Sequence, residues 1–268
     1  MTMAFTLAAF YENIDASAAL SALDTIEDTH ITVSGKDLTI PILNKIIMAF
    51  AMGDGLVQGR LSSPSLRRMW LFDLPAFYPA SSLPTDQAVD EAGSNAYTIY
   101  RDVPIVDLKE NPLELVSSEK LNFLVKNGGA AHTYGLVWLA DAVPRPVTGK
   151  IFTVRATCSK TLTPNKWTAT PLNFEQELPA GRYQVVGMRA KSDNIIAARL
   201  LFVGQVWRPG VLGVKTYSER YDEMFRMGKM GVFGEFEFDQ PPQVEFLASA
   251  ADTSEEVFLD LIQVRAGR

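Results

Sequence analysis

The chain resembles itself. Residues Ile46 to Leu61, IIMAFAMGDGLVQGRL, align without a gap on Val185 to Leu200, VVGMRAKSDNIIAARL. Ala51 and Ala190, Asp54 and Asp193, Arg60 and Arg199, and Leu61 and Leu200 are identical pairs. Ile46/Val185, Ile47/Val186, Leu56/Ile195 and Val57/Ile196 are conservative, while Gly55 and Asn194 are the residue types most at ease with positive φ. Each segment reads as apolar strand, tight turn, apolar strand: a β-hairpin used twice. A second match lies downstream. Leu121–Leu124 aligns with Val244–Leu247, and at that same offset Tyr134–Leu139 aligns with Val257–Ile262, in the same order. The implied fold is an all-β domain present twice through internal duplication, and such self-similarity narrows the fold more than composition does.

The rest of the chain fits two tandem β-sandwich or barrel domains. Strand candidates in the first half are 31–33, 38–52, 56–61, 66–72, 96–106, 113–116, 120–126 and 133–140. In the second they are 151–158, 167–174, 182–190, 195–207, 230–238, 243–249 and 256–264. Such close spacing without alternating helices excludes a parallel α/β sheet. Val244, Phe246 and Ala248 face one way and Gln243, Glu245 and Ser249 the other; Val257, Leu259 and Leu261 alternate with Glu256 and Asp260. Ile195–Ala198 and Leu200–Val203 are apolar on both faces, as in a strand covered on both sides. Val143-Pro144-Arg145-Pro146-Val147-Thr148-Gly149-Lys150 reads as the inter-domain link. The expected division is an N-terminal helical arm over 1–28, a first domain over 29–145 and a second over 146–268. In the arm, Asp15 is the expected N-cap of a helix with Leu20, Leu23 and Ile26 on one stripe. A short helix is expected in each half, marked in the second by Tyr217, Tyr221 and Phe225 at helical spacing.

Bulk properties mostly exclude. At 268 residues, 47% hydrophobic and 21% charged, the chain carries a substantial core. A net charge of −6 and no basic tail argue against direct nucleic-acid binding. A single cysteine, Cys158, rules out a disulfide framework or a multi-cysteine metal site. The first 35 residues lack Lys and Arg, so neither a signal peptide nor a transit peptide fits. No apolar run reaches the ~18 residues of a transmembrane helix, and synthesis in the cytoplasm is expected.

No segment carries an organised catalytic set. Gly53-Asp54-Gly55-Leu56-Val57-Gln58-Gly59 is close to a dinucleotide fingerprint, but its third glycine falls too late and its duplicate is an ordinary turn. Glu235, Glu237 and Asp239 place three carboxylates on one strand face, a candidate Ca²⁺ site or glycosidase pair; a solvated face is the plainer reading. His30 and His132 stand outside metal-ligand spacing, and Cys158 ends an apolar strand as a buried thiol would. Trp70 and Trp207 sit at comparable places in the two copies, which favours a structural role over sugar stacking. No cofactor is implied, and no enzymatic activity is expected. The apolar run containing Phe5, Phe10 and Tyr11, with Tyr217, Tyr221 and Phe225, supplies candidate assembly contacts.

Two similar β halves, an N-terminal arm, a Pro-rich link and the segment Leu178-Pro179-Ala180-Gly181-Arg182-Tyr183-Gln184-Val185-Val186-Gly187, with Arg208-Pro209-Gly210 after it, resemble the double jelly-roll major capsid proteins of tailless icosahedral viruses. The resemblance lies in organisation. It implies two jelly rolls per chain and a homotrimer whose six jelly rolls make a pseudo-hexagonal capsomer of the virion. It also implies contacts with neighbouring capsomers and with vertex or minor capsid proteins, often above an internal viral membrane. Residues 73–111 and 208–229 are then candidates for exposed loops or inter-subunit clamps. Three other classes compete: a lectin-like β-sandwich using Trp167 or the 235–239 acids with Ca²⁺, a cupin-type or glycoside-hydrolase enzyme, and a phage tail or spike protein. The enzyme class is weakened by two isolated histidines.

Overall fold

The computed structural model describes residues 3–15, 19–53, 56–70, 106–129, 131–214 and 223–266. These fall into two compact units, one of residues 6–70 and 106–143 and one of residues 3–5 and 144–266. Both are β structures. No helix among the described residues is long and apolar enough to cross a membrane.

The N-terminal unit begins with β1 (Phe5–Ile14), β2 (Ser21–Ala22), β3 (Asp24–Thr25), β4 (Val33–Ser34), β5 (Asp37–Thr39) and β6 (Lys45–Gly53). It continues with β7 (Leu56–Ser62), helix α1 (Pro64–Trp70), β8 (Val106–Asp107), β9 (Leu113–Glu114), β10 (Lys120–Asn127) and β11 (Ala131–Ala140). One sheet has the order β3-β1-β11-β6-β8, with β9 also on β6. The other has the order β2-β10-β5-β4, with β7 also on β10.

The C-terminal unit contains β12 (Phe152–Cys158), β13 (Trp167–Pro171), β14 (Asn173–Phe174), β15 (Gly181–Lys191) and β16 (Ile195–Leu201). β17 (Gly210–Val214), β18 (Gly234–Glu237), β19 (Gln243–Ala248) and β20 (Glu255–Ala266) complete it, with a 3-10 turn at Glu223–Phe225. The path is β13-β19-β16-β17-β15-β20-β12-β14, with β18 also on β15. β17 joins the two faces of a nearly closed barrel. It pairs antiparallel with β16 through Gly210–Leu212, then parallel with β15 through Gly213 and Val214.

One interleaved order underlies both units. In the C-terminal unit the first strand lies beside the last, giving β12-β20-β15-β18, and the second lies beside the penultimate, giving β13-β19-β16-β17. In the N-terminal unit the corresponding rows are β1-β11-β6-β8 and β2-β10-β7. The segments matched in sequence occupy equivalent strands: β6 with β15, β7 with β16, β10 with β19 and β11 with β20.

Three sequence expectations are corrected. The repeated strand-turn-strand is not a hairpin. β6 pairs with β11 while β7 pairs with β10, and likewise β15 pairs with β20 while β16 pairs with β19. Each turn therefore carries the chain from one sheet to the other; the first turn, at Asp54 and Gly55, lies outside the described residues. The N-terminal helical arm is replaced by strands. Leu23 N–H donates to Phe123 O at 2.8 Å and Ile26 N–H to Ala9 O at 3.0 Å, so sheet partners take the donors a helix would use internally. Residues 64–70 are a helix where a strand was expected over 66–72. Ser63 Oγ accepts the Leu66 N–H at 3.1 Å as N-cap, and Pro64 supplies a first-turn residue with no N–H to satisfy.

The cores follow the strand period. β10 alternates buried Leu121, Phe123, Val125 and Asn127 with more exposed neighbours. Phe10, Phe50, Phe123 and Trp138 fill the N-terminal unit, and Val185, Leu200, Phe246 and Leu259 the other. Each such side chain contributes roughly 1.5–3 kcal/mol by leaving water. Gly135 is required by this packing, since a Cβ there would lie 2.8 Å from the Phe123 ring. Ile195–Leu200 is buried on both faces, as its apolar pattern on either side of Arg199 implies.

Candidate functional site

A cavity of about 590 Å³ opens in the C-terminal unit. After β16 ends, Phe202 turns inward at 4% exposure, beneath Gly234, where a Cβ would lie 2.5 Å from its ring. The chain then reverses through Gly204 at φ 75°, with Gln205 N–H donating to Phe202 O at 3.2 Å. This tight loop leaves Val203 at 75% and Val206 at 60% exposure on the cavity rim, and Trp207 on its wall. The floor is aromatic: Phe5 meets Phe233 edge-on at 4.9 Å between centroids.

One wall is charged. Arg182 on β15 faces Glu235 on β18 at 2.5 Å, and Gln184 Nε2 donates to Glu235 Oε1 at 2.7 Å. A smaller recess of about 270 Å³ adjoins it, lined by Arg182, Val203, Phe236 and Gln240 among others. Among the described residues the lining is apolar apart from Arg182, Gln205 and Glu235, and an apolar rim around an exposed ion pair suits surface contact.

The three carboxylates of the candidate cation site do not share one strand face, because β18 ends at Glu237 and Asp239 lies in the following turn. Glu235 is engaged by Arg182 and Gln184, and Glu237 by Arg265 at 3.4 Å. Among the described residues no group of three or more His, Cys, Asp or Glu is arranged to hold a metal ion. Trp167 has Arg199 over its ring, 3.9 Å from the centroid, so a cation already occupies one face. Phe5, Phe10 and Phe225 are buried within the chain, which corrects their reading as assembly contacts: core packing accounts for them. Tyr11 is half-buried and hydrogen bonds through its hydroxyl to His132 Nδ1 at 2.6 Å. Tyr217 and Tyr221 lie outside the described residues, as does most of the 73–111 connection.

Two clusters escaped the sequence reading. Thr6 Oγ1 lies 2.7 Å from His30 Nε2, and His30 Nδ1 contacts Asp28 Oδ1, the hydroxyl–imidazole–carboxylate order of a nucleophilic triad. Thr6 is fully buried, however, and no substrate reaches its oxygen; the chain of contacts ties β1 to the 28–30 segment. Asp28-x-His30 was visible in the sequence, but Thr6 required the strand pairing.

The second cluster is ionic. Glu245 and Asp260, expected on solvated faces, are buried at 7% and 0% exposure. Glu245 accepts from Arg199 Nε at 2.6 Å and from Arg208 Nη1 at 2.8 Å. Asp260 accepts from Thr153 Oγ1 at 2.6 Å, Met227 N–H at 2.8 Å and Arg226 Nε at 2.9 Å. Burial pushes the Asp260 carboxyl up, but the hydrogen bonds from Arg226, Thr153 and Met227 outweigh it and hold it below the usual range. Gly187 makes the approach possible, since a Cβ there would stand 2.4 Å from the Asp260 oxygen.

No protein-family model matches the chain, and no curated protein matches it. Among solved structures, the crystal structure of the major capsid protein P2 from bacteriophage PM2 aligns with 99% of this chain and 98% of its own. The identity is 11% and the TM-score 0.28. The two backbones superpose poorly at that score, and the likeness carries no weight.

Proposed function

We propose that this chain is a viral major capsid protein: two jelly rolls that arose by duplication and assemble as homotrimers into pseudo-hexameric capsomers of an icosahedral virion shell. One observation carries the reading. Both units place first strand beside last and second beside penultimate in opposing rows, and the self-similar segments fall on equivalent strands. Two facing Greek keys with that interleaving are a jelly roll. Two similar domains per chain, tripled by symmetry, give six near-equivalent edges with which to tile a surface.

Other features support a structural role without catalysis. The edge strand β13 is defended: Lys160 Nζ donates to Ala169 O at 2.7 Å, and Pro171 ends the strand. Association then runs through loops and faces, with no risk of open-ended strand addition at that edge.

The test is the mass of the purified protein by light scattering, with negative-stain images of the same peak. Expected is a species of three 29.6 kDa chains with a hexagonal outline. A monomer that stays monomeric on concentration overturns the pre-formed capsomer and brings forward a screen with sugars and Ca²⁺ for the lectin-like alternative.

A further inference from the structure

Two adjacent acids open β20 and meet opposite fates. Glu256 points outward to Arg155, whose Nη2 lies 3.1 Å from its carboxylate. Glu255 points inward, is 1% exposed, and among the described residues its carboxyl oxygens meet no hydrogen-bond donor apart from its own backbone N–H. An ionised carboxylate in such a place is costly, whereas the neutral acid is tolerated.

Among the described residues Asp252 is the charge that bears on it, and Lys160 of the 159–166 loop is turned to Ala169 O at 2.7 Å. From β12, the residue opposite is Cys158, whose thiol is pushed up to about 12, chiefly by burial, and so is neutral. From β15, Lys191 pairs with Glu256 and not with Glu255. From the preceding loop comes Asp252, already committed: it accepts from Ser192 Oγ, from Asn194 N–H at 3.1 Å and from Thr253 N–H at 2.8 Å. Burial raises the Asp252 carboxyl, but these bonds hold it below its ordinary value, so it stays charged and repels a second anion.

Asp252 is also where three loops meet. Leu162 N–H donates to Asp252 O at 2.9 Å, Asn165 N–H to Ala248 O at 2.8 Å and Ser249 N–H to Asn194 O at 2.9 Å. Loops 159–166, 192–194 and 249–254 are thus tied together at the end of the C-terminal unit where β20 begins with Glu255.

We propose that Glu255 is a pH-operated latch: as the neutral acid it lets the three loops close, and its ionisation beside Asp252 loosens them. Burial first, with the Asp252 charge adding, pushes its carboxyl up to about 7 from 4.5. A raised carboxyl value means that the closed form binds the proton more tightly than the open one. The closure is therefore fully favoured below the ordinary value and weakens as pH rises through about 7. The device does not depend on the shell reading; in a shell, it makes this end of every chain respond to mild alkalinity.

Hydrogen exchange of the full chain at about pH 6 and about pH 8, corrected for the intrinsic rate, tests it. Expected is a roughly ten-fold loss of protection in 159–166 and 249–254 of the wild type, abolished in Glu255→Gln. Equal protection at both pH values, or the same loss in Glu255→Gln, overturns the latch. Should that variant fail to fold, infrared spectroscopy of the wild type decides. A carboxylic-acid carbonyl band at about pH 6 that vanishes by about pH 8 is expected, and its absence at about pH 6 overturns the proposal.

Discussion

Arg199 on β16 meets Glu245 on β19, and both are buried. At the matching places in the N-terminal unit stand Arg60 on β7 and Asn122 on β10. Asn122 carries no charge of its own and stays partly exposed, its Nδ2 donating to Lys36 O at 2.8 Å and to Asp37 Oδ1 at 2.7 Å. The difference extends through both interiors. Among the described residues, the N-terminal unit encloses the Asp28 and His30 side chains at about 3% exposure beside buried residues that are apolar or small and polar, while the C-terminal unit buries Arg199, Glu245, Glu255 and Asp260. One strand order thus tolerates two chemistries of closure. The ionic one creates obligations: a buried charge needs every partner, and losing one partner costs more than losing a neutral bond.

The sharpest test of that contrast pairs two variants. Glu245→Ala removes the carboxylate facing the fully buried Arg199 and should cost about 3–5 kcal/mol in urea unfolding, against about 0.5–1.5 kcal/mol for Asn122→Ala. Equal losses would erase the distinction between the units. Asp260→Ala belongs in the upper range too, and adds a pH signature. Its depressed carboxyl contributes stability above the ordinary value of 3.8 that disappears as pH falls through the folded value. Wild type should therefore lose stability in acid more steeply than the variant, as thermal melts across the acid range would show.

Steric variants sharpen the comparison at middle size. Gly135→Ala presses on the Phe123 ring and Gly234→Ala on the Phe202 ring; each should cost about 1–3 kcal/mol by calorimetry, the same in both units. Trp167→Leu removes the ring beneath Arg199 and should cost about 1 kcal/mol beyond its packing. The smallest effect is expected at the cavity rim. Val203→Asp with Val206→Asp should change stability by no more than about 0.5 kcal/mol, since both side chains are exposed. The same double variant should weaken trimers in light scattering if this rim is a subunit contact, and unchanged trimers would remove it from the interface.

Alternation of apolar and polar residues made β19 and β20 legible as strands, and the matched segments fall on strands with equivalent places in the two units. The route between sheets was not legible, because a short turn between apolar strands suits a hairpin and a crossover equally. Leu20, Leu23 and Ile26 imitate a helical stripe, yet the N–H groups of Leu23 and Ile26 go to Phe123 O on the distant β10 and to Ala9 O on β1. The buried acids hid for a related reason. Glu245 and Asp260 look like outward residues of alternating strands until Arg208 and Arg226 arrive from separate loops. The cavity gathers residues 3–5, 182, 203–209 and 232–235, so Glu235 could be noticed but not its partner Arg182.

The placing of first strand beside last has a consequence during synthesis. β1 waits for β11, and β12 for β20, so neither unit can complete its sheets until nearly all its residues have left the ribosome. Such long-range closure is slow and leaves apolar strands such as β6 and β16 uncovered meanwhile. The first unit has all but residue 5 of its strands by residue 140, and it can close while the second is still being made. Translation therefore separates in time two halves similar enough to pair wrongly with each other.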